Sequence, residues 1–450
     1  MEFDNFNQLC EYVNAYTNDE LIYLTFKEKF NEYNLESQLT DSIIENRGIL
    51  DEFSLKKYNI YLGTRIINYI TDIKENINKY IFLHDHLLKD LLSKKVLFNL
   101  LAYRIIAKEK YIIHAYNVGS EQYFDSSIIK CKPNSVFIDC GGLDGTTTAQ
   151  FILKYTDFSK VYIYEPMDTY YNECIENVRK MNLNNIFIRK SAVYNNKTML
   201  TFSQNTRGQS RADLNGDIKV SAVTLDEDIQ EPIDFIKMDI EGSEQKALQG
   251  AKNHIEKEMP ILAICAYHLS CDLWKIPEII YNINSNYTFY LRHHTMDISE
   301  TVFYAVPNNL NNINRQINKE KLPIEAELEC LKLVTKFNKK EIDSLYETKV
   351  FLVDQVENYK KSLENAENVI SENEKWITEL KDGKCWLEKQ YNTYLSESKQ
   401  KDKMIKELQQ WTEEQQKAKV WLEEQYNNYK NECNRKNKII EELTVKKKEN

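Results

Sequence analysis

The prolines of this chain are confined to one internal region. All seven fall between Pro133 and Pro323 of the 450 residues, and seven of the eleven glycines fall between Gly141 and Gly250. Proline interrupts helices, and both residue types mark turns. The sequence therefore predicts helices at both ends and a turn-rich domain between them, in a chain long enough for two or three structural units.

Residues 1–118 carry apolar side chains at helical spacing, most clearly from Tyr80 to Ile106. Such a stripe predicts helices that each bury one face against a neighbour. We interpret this all-α region as a scaffold or a substrate-shaping cap.

Residues 119–310 show a different pattern, in which short β-branched and aromatic runs alternate with helical stretches. The predicted strands are Val136–Asp139, Val161–Tyr164, Ile186–Arg189, Phe235–Met238, Ile261–Ala266, Tyr287–Leu291 and Val302–Val306. The predicted helices are Thr146–Tyr155, Asp168–Met181, Ser243–Glu258 and Leu273–Asn284. This alternation predicts an α/β fold with a mainly parallel sheet covered on both faces, and the last two strands are close enough to form a hairpin.

The C-terminal part contains an internal repeat. After a predicted helical linker at 311–348, related segments begin at Lys349, Lys384 and Lys419, each 35 residues after the last. That offset is five heptads, which keeps one face of a helix toward a partner. Residues 349–450 are therefore predicted to form a long coiled coil, although polar residues interrupt both seams and a solvated single helix is the alternative.

Charge and cysteine content exclude some classes of protein. The net charge is −10, so the basic surface that a nucleic acid requires is not expected. The nine cysteines form no CxxC pair, which favours reduced thiols in a cytoplasmic protein over disulfides or a zinc site. Because no apolar run approaches the ~20 residues that span a bilayer, no transmembrane segment is predicted.

The segment from Val136 to Thr148 combines a strand, an acid and a glycine-rich turn before a helix. Asp139 ends the strand, and Gly141 and Gly145 allow a tight turn against which a nucleotide-like ligand can lie. The spacing matches neither a dinucleotide-binding fingerprint nor a phosphate-binding loop.

Carboxylates follow two further strands. Glu165 ends the next strand, where it can accept both hydroxyls of a ribose, although it could instead cap the helix from Asp168. Asp239, Glu241 and Glu244 follow the strand Phe235–Met238. They could orient substrate hydroxyls, hold an amino group or ligate a divalent cation. Their spacing does not distinguish among these roles, and we assign no metal.

Taken together, these motifs resemble FkbM-type methyltransferases over about residues 121–307. The matching segments are Phe137-Ile-Asp-Cys-Gly-Gly-x-Asp-Gly, Tyr164-Glu-Pro, Ser191-Ala-Val, Val223-Thr-Leu-Asp and Ile233-Asp-Phe-Ile-Lys-Met-Asp-Ile-Glu-Gly-Ser-Glu. The resemblance implies a class I methyltransferase Rossmann-like fold and S-adenosylmethionine as cofactor. Many family members are encoded with bacterial polysaccharide biosynthesis genes.

The resemblance also implies roles for single residues. Asp139, Gly141, Gly142 and Gly145 would surround the methionine part of the cofactor, Glu165 would hold its ribose, and Asp239 to Glu244 would lie beside the transferred methyl group. Many members have Gly-Ala where this chain has Gly141-Gly142, a difference of one methyl group.

Methyl transfer to a hydroxyl also requires a group that removes the acceptor proton. His268 follows the strand Ile261–Ala266 and titrates in a useful range, and Asp239 is the rival base. Glu241, Glu244, Asp272, Arg292 and His293 are predicted to bind substrate.

The sequence thus predicts a methyltransferase for oxygen on a sugar, nucleotide sugar or lipid-linked glycan. Its coiled coil would form a homo-oligomer or dock to glycan-assembly enzymes. A non-catalytic scaffold protein that acts through the coiled coil is the alternative. A nicotinamide-dependent dehydrogenase is disfavoured by the first-loop spacing.

Overall fold

The computed structural model describes residues 2–32, 62–117, 121–202, 218–312 and 322–339, with scattered residues between 342 and 434. The chain divides into two compact units, Met1–Glu327 and Leu328–Asn450. Within the described ranges, no helix is both long and apolar enough to cross a membrane.

The first unit contains a seven-stranded sheet with the order β3-β2-β1-β7-β8-β10-β9. Its strands are β1 Val136–Cys140, β2 Lys160–Tyr164, β3 Ile186–Arg189, β7 Phe235–Met238, β8 Ile261–Cys265, β9 Tyr287–His293 and β10 Thr301–Pro307. Strands β3, β2, β1, β7 and β8 pair in parallel, whereas β10 is antiparallel to both β8 and β9. The predicted α/β class and the terminal hairpin are confirmed, and the second strand of the hairpin inserts beside β8.

A smaller sheet was missed by the sequence analysis. It has the order β4-β6-β5, with β4 at Ala192–Val193, β5 at Thr198–Phe202 and β6 at Ile218–Val223. Its buried side chains form a small core of Ala192, Phe202, Val220 and Ala222. The hydrophobic pattern of the sequence did not predict this sheet, because β4 has only two residues and β5 mixes polar and apolar positions.

Helices flank the large sheet. In the first unit they are α1 Phe6–Ala15, α2 Asn18–Glu32, α3 Leu62–Phe82, α4 Leu91–Ile106, α5 Glu109–Ala115, α6 Thr146–Lys154, α7 Asp168–Met181, α8 Leu225–Asp228, α9 Glu244–Gln249, α10 Lys252–Lys257 and α11 Asp272–Ile283. A π-helical turn at Leu83–Leu87 continues α3, and a 3-10 turn covers Asn308–Asn312. The predicted all-α N-terminal region is confirmed over its described residues.

One predicted helix is divided in two. The stretch Ser243–Glu258 forms α9 and α10 with Gly250 between them. A methyl group added at Gly250 would lie 2.0 Å from the carbonyl oxygen of Tyr194. The backbone of the small sheet therefore approaches the break closely, and a continuous helix with a larger residue would not fit there.

The N-terminal helices cover the β9 edge of the large sheet. The Leu291 amide of β9 donates a hydrogen bond of 2.9 Å to the Ser93 hydroxyl of α4. The Asp90 side chain caps α4 by accepting from the Ser93 amide at 2.7 Å. This contact joins an edge strand to a buried helix, so that the end of β9 is closed to solvent.

Beyond residue 339 the structure describes only scattered helical positions. Most of the linker and of the 35-residue repeats therefore lies outside the described residues. The coiled coil and the domain boundaries at 118, 310 and 348 stay predictions.

Candidate functional site

The site lies between β1 and β7, where the strand order of the sheet reverses. From β1 the chain builds β2 and β3 on one side, and from β7 it builds β8 on the other. Loops that leave neighbouring strands on opposite sides open a crevice at their carboxyl ends, where such sheets bind ligands. The loops after β1, β2, β7 and β8 carry the acids and the histidine singled out from the sequence.

The glycines of the β1 loop permit close packing. A methyl group added at Gly141, whose φ is +80°, would lie 1.9 Å from the Asp239 carbonyl oxygen, and one at Gly142 would lie 2.2 Å from the Ile163 side chain. The amides of both glycines donate to the Tyr164 carbonyl, at 2.9 and 3.2 Å. These amides are therefore engaged within the protein, and the expectation that a nucleotide-like ligand lies against the turn stays a prediction. Gly145 begins α6 with φ +86°, a conformation that favours glycine.

Asp139 is fully buried at the end of β1, beside a lysine that the sequence analysis did not single out. Its Oδ1 lies 3.1 Å from Nζ of the equally buried Lys237, and its Oδ2 accepts from the Thr148 hydroxyl at 2.8 Å. Lys237 also donates to the carbonyls of Cys140 and Gly141, at 3.2 and 2.7 Å. Burial opposes the charge of Lys237, but Asp139 and Asp239 raise its pKa above the ordinary value. This ion pair joins the β1 loop to β7.

Glu165 ends β2 as predicted. Its carboxylate accepts from two backbone amides, that of Leu143 at 3.0 Å and that of Met167 at 2.9 Å. Burial raises the pKa of Glu165 to about 7. The two amides hold the carboxylate at the mouth of the β1 loop and leave it further lone pairs.

Asp239, at the end of β7, is held by two tyrosines. The hydroxyl of Tyr123 donates to its Oδ2 at 2.9 Å, and that of Tyr267 lies 3.3 Å from its Oδ1. Burial acts to raise the pKa of Asp239, but the positive charges of Lys237 and His268 lower it below the ordinary value. Asp239 is therefore an ionised carboxylate at neutral pH.

Glu300, which was not among the predicted site residues, belongs to the same cluster. Glu300 lies 3.3 Å from the Tyr267 hydroxyl and accepts from the Gln122 side-chain amide. Burial raises the pKa of Glu300 to about 7.

His268 lies among three carboxylates. Its Nδ1 is 3.0 Å from Glu244 Oε1, and its Nε2 is 3.6 Å from Asp239 Oδ1 and 3.5 Å from Glu241 Oε2. Burial acts to lower the pKa of His268, but the carboxylates, Glu244 foremost, raise it to about 9. The carboxylates therefore favour the protonated form of His268, which cannot accept a further proton.

Asp272 stabilises the turn that presents His268. Its carboxylate accepts from the Leu269 amide at 2.6 Å and from the Gln245 side chain at 2.8 Å. Burial raises the pKa of this carboxyl to about 7. Asp272 is brought to the cluster as expected, but its contacts fix the loop.

Arg292 and His293 were predicted to bind substrate, but the structure buries both. Arg292 is buried, with its Nη2 2.7 Å from Asp90 Oδ2. His293 is also buried, with Nδ1 2.8 Å from the Thr301 hydroxyl, and burial lowers its pKa to about 4. Both lie on β9, which the N-terminal helices cover, so their described contacts are structural.

A comparison with protein families finds a match over most of the residues that form the crevice. Residues 139–286 match the model described as the methyltransferase FkbM domain. This chain contains an FkbM methyltransferase domain. The FkbM domain includes Glu165, Asp239, Glu244 and His268 and thus most of the site, but Tyr123 and Glu300 come from segments that flank it.

Solved structures include several similar methyltransferases. A methyltransferase FkbM from Methylobacillus flagellatus KT is 28% identical, with a TM-score of 0.46 over 53% of this chain and 62% of that chain. An rRNA methylase from Streptococcus thermophilus is 15% identical, with a TM-score of 0.28 over 39% of this chain and 88% of that chain. TrmK of M. capricolum, in complex with S-adenosyl-homocysteine, is 12% identical, with a TM-score of 0.25 over 62% and 91%.

The match thus spans less than two thirds of the length of the M. flagellatus protein. No curated protein matches this sequence.

Residues outside the FkbM domain position its histidine loop. Arg65 of α3 donates to the Tyr267 carbonyl at 2.8 Å, and Arg104 of α4 donates to the Ser270 carbonyl at 3.1 Å. The guanidinium of Arg104 also lies 4.1 Å from the ring centroid of Tyr69. The N-terminal helices therefore fix the loop that carries His268.

Proposed function

We propose that this protein is an S-adenosylmethionine-dependent O-methyltransferase that acts on a hydroxyl of a sugar or glycan. The observation that carries the proposal is the convergence of Glu165 and the Asp239–His268 cluster on one crevice of the FkbM domain. When bound, S-adenosylmethionine supplies an electrophilic methyl group, and its transfer leaves a neutral thioether.

The residues of the crevice fit this cofactor. Glu165 is fixed by two backbone amides, and its remaining lone pairs suit the two hydroxyl donors of a ribose. The glycines of the β1 loop and the carboxylate of Asp239 are suited to bind the methionine part of the cofactor. Asp139 contributes by holding the loop through Lys237 and Thr148.

The acceptor end is rich in carboxylates. Asp239, Glu241 and Glu244 surround His268, and carboxylates accept hydrogen bonds from the adjacent hydroxyls of a sugar. An acceptor hydroxyl held by these carboxylates would receive the methyl group of the bound cofactor. Asp239 Oδ1 or His268 Nε2 takes the hydroxyl proton, His268 only in its neutral form.

Calorimetric titration of the full-length protein with S-adenosylmethionine tests the cofactor assignment. Substituting Glu165→Ala removes two charge-assisted hydrogen bonds of about 1.5–3 kcal/mol each, so affinity should fall about 100-fold or more. Asp168→Asn is the matched control, because this exposed acid begins the next helix and should leave affinity unchanged. Unchanged affinity in Glu165→Ala, with native circular dichroism, would refute the ribose assignment.

Labelled methyl transfer to nucleotide sugars and lipid-linked glycans tests the acceptor. Label in an alkali-stable methyl ether is the expected result. Label on nitrogen, or none with any glycan despite tight cofactor binding, would contradict the sugar assignment.

Location and assembly form part of the same proposal. We place the protein in the cytoplasm, which is consistent with the free thiols of Cys10, Cys140 and Cys174. The 35-residue repeats are proposed to form a coiled coil that makes a homo-oligomer or docks to glycan-assembly enzymes.

A further inference from the structure

Three metal-ligating side chains converge at the carboxyl ends of β7 and β8. Asp239, Glu244 and His268 each offer one donor atom, and the three atoms lie within 4.8 Å of one another. Glu244 is fully buried and the His268 side chain is 9% exposed. Donors bound to one cation at about 2.1 Å lie roughly 3–4 Å apart, so small side-chain movements would close the site.

Several buried polar atoms of Glu244 and His268 lack hydrogen bonds. Among the described residues, Glu244 Oε2 and both ring nitrogens of His268 have no hydrogen-bond partner. The His268 Nδ1 to Glu244 Oε1 distance of 3.0 Å is that of an ion pair, without the geometry of a hydrogen bond. Buried polar atoms are almost always paired, and leaving them unpaired costs about 1–3 kcal/mol each. A cation bound by these side chains would pair with one ring nitrogen of His268 and with a carboxylate oxygen of Glu244.

We infer that Asp239, Glu244 and His268 bind a divalent first-row transition-metal cation. One imidazole nitrogen and two carboxylate oxygens suit Mn²⁺, Fe²⁺ or Zn²⁺ better than Mg²⁺ or Ca²⁺, which prefer oxygen ligands alone. Three protein ligands leave coordination positions open for a substrate, as in catalytic metal sites.

The surrounding residues already hold each ligand in place. The Ile240 amide donates to Glu244 Oε1 at 2.8 Å, which leaves Oε2 for a cation. Tyr123 holds Asp239, and the carbonyl contacts of Arg65 and Arg104 hold the histidine loop. Outer partners of this kind orient ligands and raise metal affinity.

The cation site deepens the proposed function and rests on it for its role in catalysis. An acceptor hydroxyl in an open position would lose its proton more readily, so His268 would not have to act as the base. The hydroxyl proton would pass to the partly exposed Glu241 carboxylate, and the methyl group would leave the cofactor sulfur for the hydroxyl oxygen. Two adjacent oxygens could occupy two open positions, so the site selects acceptors with a vicinal diol.

Electron paramagnetic resonance with Mn²⁺ tests the site on the full-length protein after treatment with a chelator. We expect one bound Mn²⁺ with a ¹⁴N coupling from His268. Glu244→Gln should lower the affinity at least tenfold, and His268→Gln should do so and abolish the nitrogen coupling. Glu300→Gln is the matched control, since it removes a carboxylate from the same cluster but not a ligand, and should retain binding.

Two results would overturn the inference. One is a failure of the wild-type protein to bind Mn²⁺, which is the result expected if the carboxylates only form ion pairs with a protonated His268. The other is equal Mn²⁺ binding by wild type and Glu244→Gln without nitrogen coupling. Titration of the same samples with S-adenosylmethionine separates the two proposals. A protein that binds the cofactor but does not bind Mn²⁺ rejects the cation site alone. A protein that binds Mn²⁺ but does not bind the cofactor rejects the methyltransferase assignment alone.

Discussion

The buried pair of Lys237 and Asp139 is the interaction whose loss should most damage the crevice. The two side chains are 2% and 0% exposed and 3.1 Å apart. Lys237→Met keeps most of the volume of the side chain but leaves the Asp139 charge buried without its partner. Breaking a buried pair in this way costs about 3–5 kcal/mol, a large part of the 5–15 kcal/mol that is typical for a folded domain. The carbonyls of Cys140 and Gly141 would also lose a donor.

Hydrogen exchange followed by mass spectrometry measures this cost where it arises. Peptides from β1 and β7 report the free energy of opening of the central strands. The four tryptophans beyond residue 327, out of five in the chain, would complicate a fluorescence measurement. We expect opening of these peptides to become easier by about 3–5 kcal/mol in Lys237→Met.

A double variant provides the control. Asp139→Asn with Lys237→Met removes both charges, so its cost should be smaller than the sum of the two single costs by about 2 kcal/mol or more. If Lys237→Met cost less than about 1 kcal/mol, or if the two costs simply added, the buried pair would not stabilise the crevice as argued.

Three further predictions follow from single features. Gly141→Ala should destabilise the first unit by about 1–3 kcal/mol in urea unfolding, because Gly141 has a positive φ and lies against the Asp239 carbonyl. Gly145→Ala should cost less, since the added methyl group would lie 3.4 Å from the nearest atom. Equal costs of the two substitutions would contradict the contact argument. The pKa of Glu165 rises from 4.5 to about 7 on folding, so the folded state binds the proton more tightly, and stability should fall by up to about 3 kcal/mol between pH 4.5 and 7 relative to Glu165→Gln. No difference in slope would refute this. Light scattering of the full-length protein should give a mass above the 53.3 kDa of one chain, and a monomer would contradict self-association.

The strand ends were predictable because their chemistry is local. Asp139, Glu165 and Asp239 each follow an apolar run, and parallel strands place such residues at one edge of the sheet. Lys237 could also have been found, since a lysine within the buried strand Phe235–Met238 requires a partner. Its partner Asp139 is 98 residues away in the chain, and no spacing rule connects them.

What the sequence determined by itself was the class of fold and the acids at the strand ends. Both depend on hydrophobic periodicity and on turn residues, which act over a few neighbouring positions. Only the tertiary structure decided what those groups are able to do. It buried Arg292 and His293 under the N-terminal helices, brought Tyr123 and Glu300 to Asp239 and Tyr267, and surrounded His268 with three carboxylates. Burial and charge are sums over neighbours that folding brings together from distant parts of the chain, so they have no local signature.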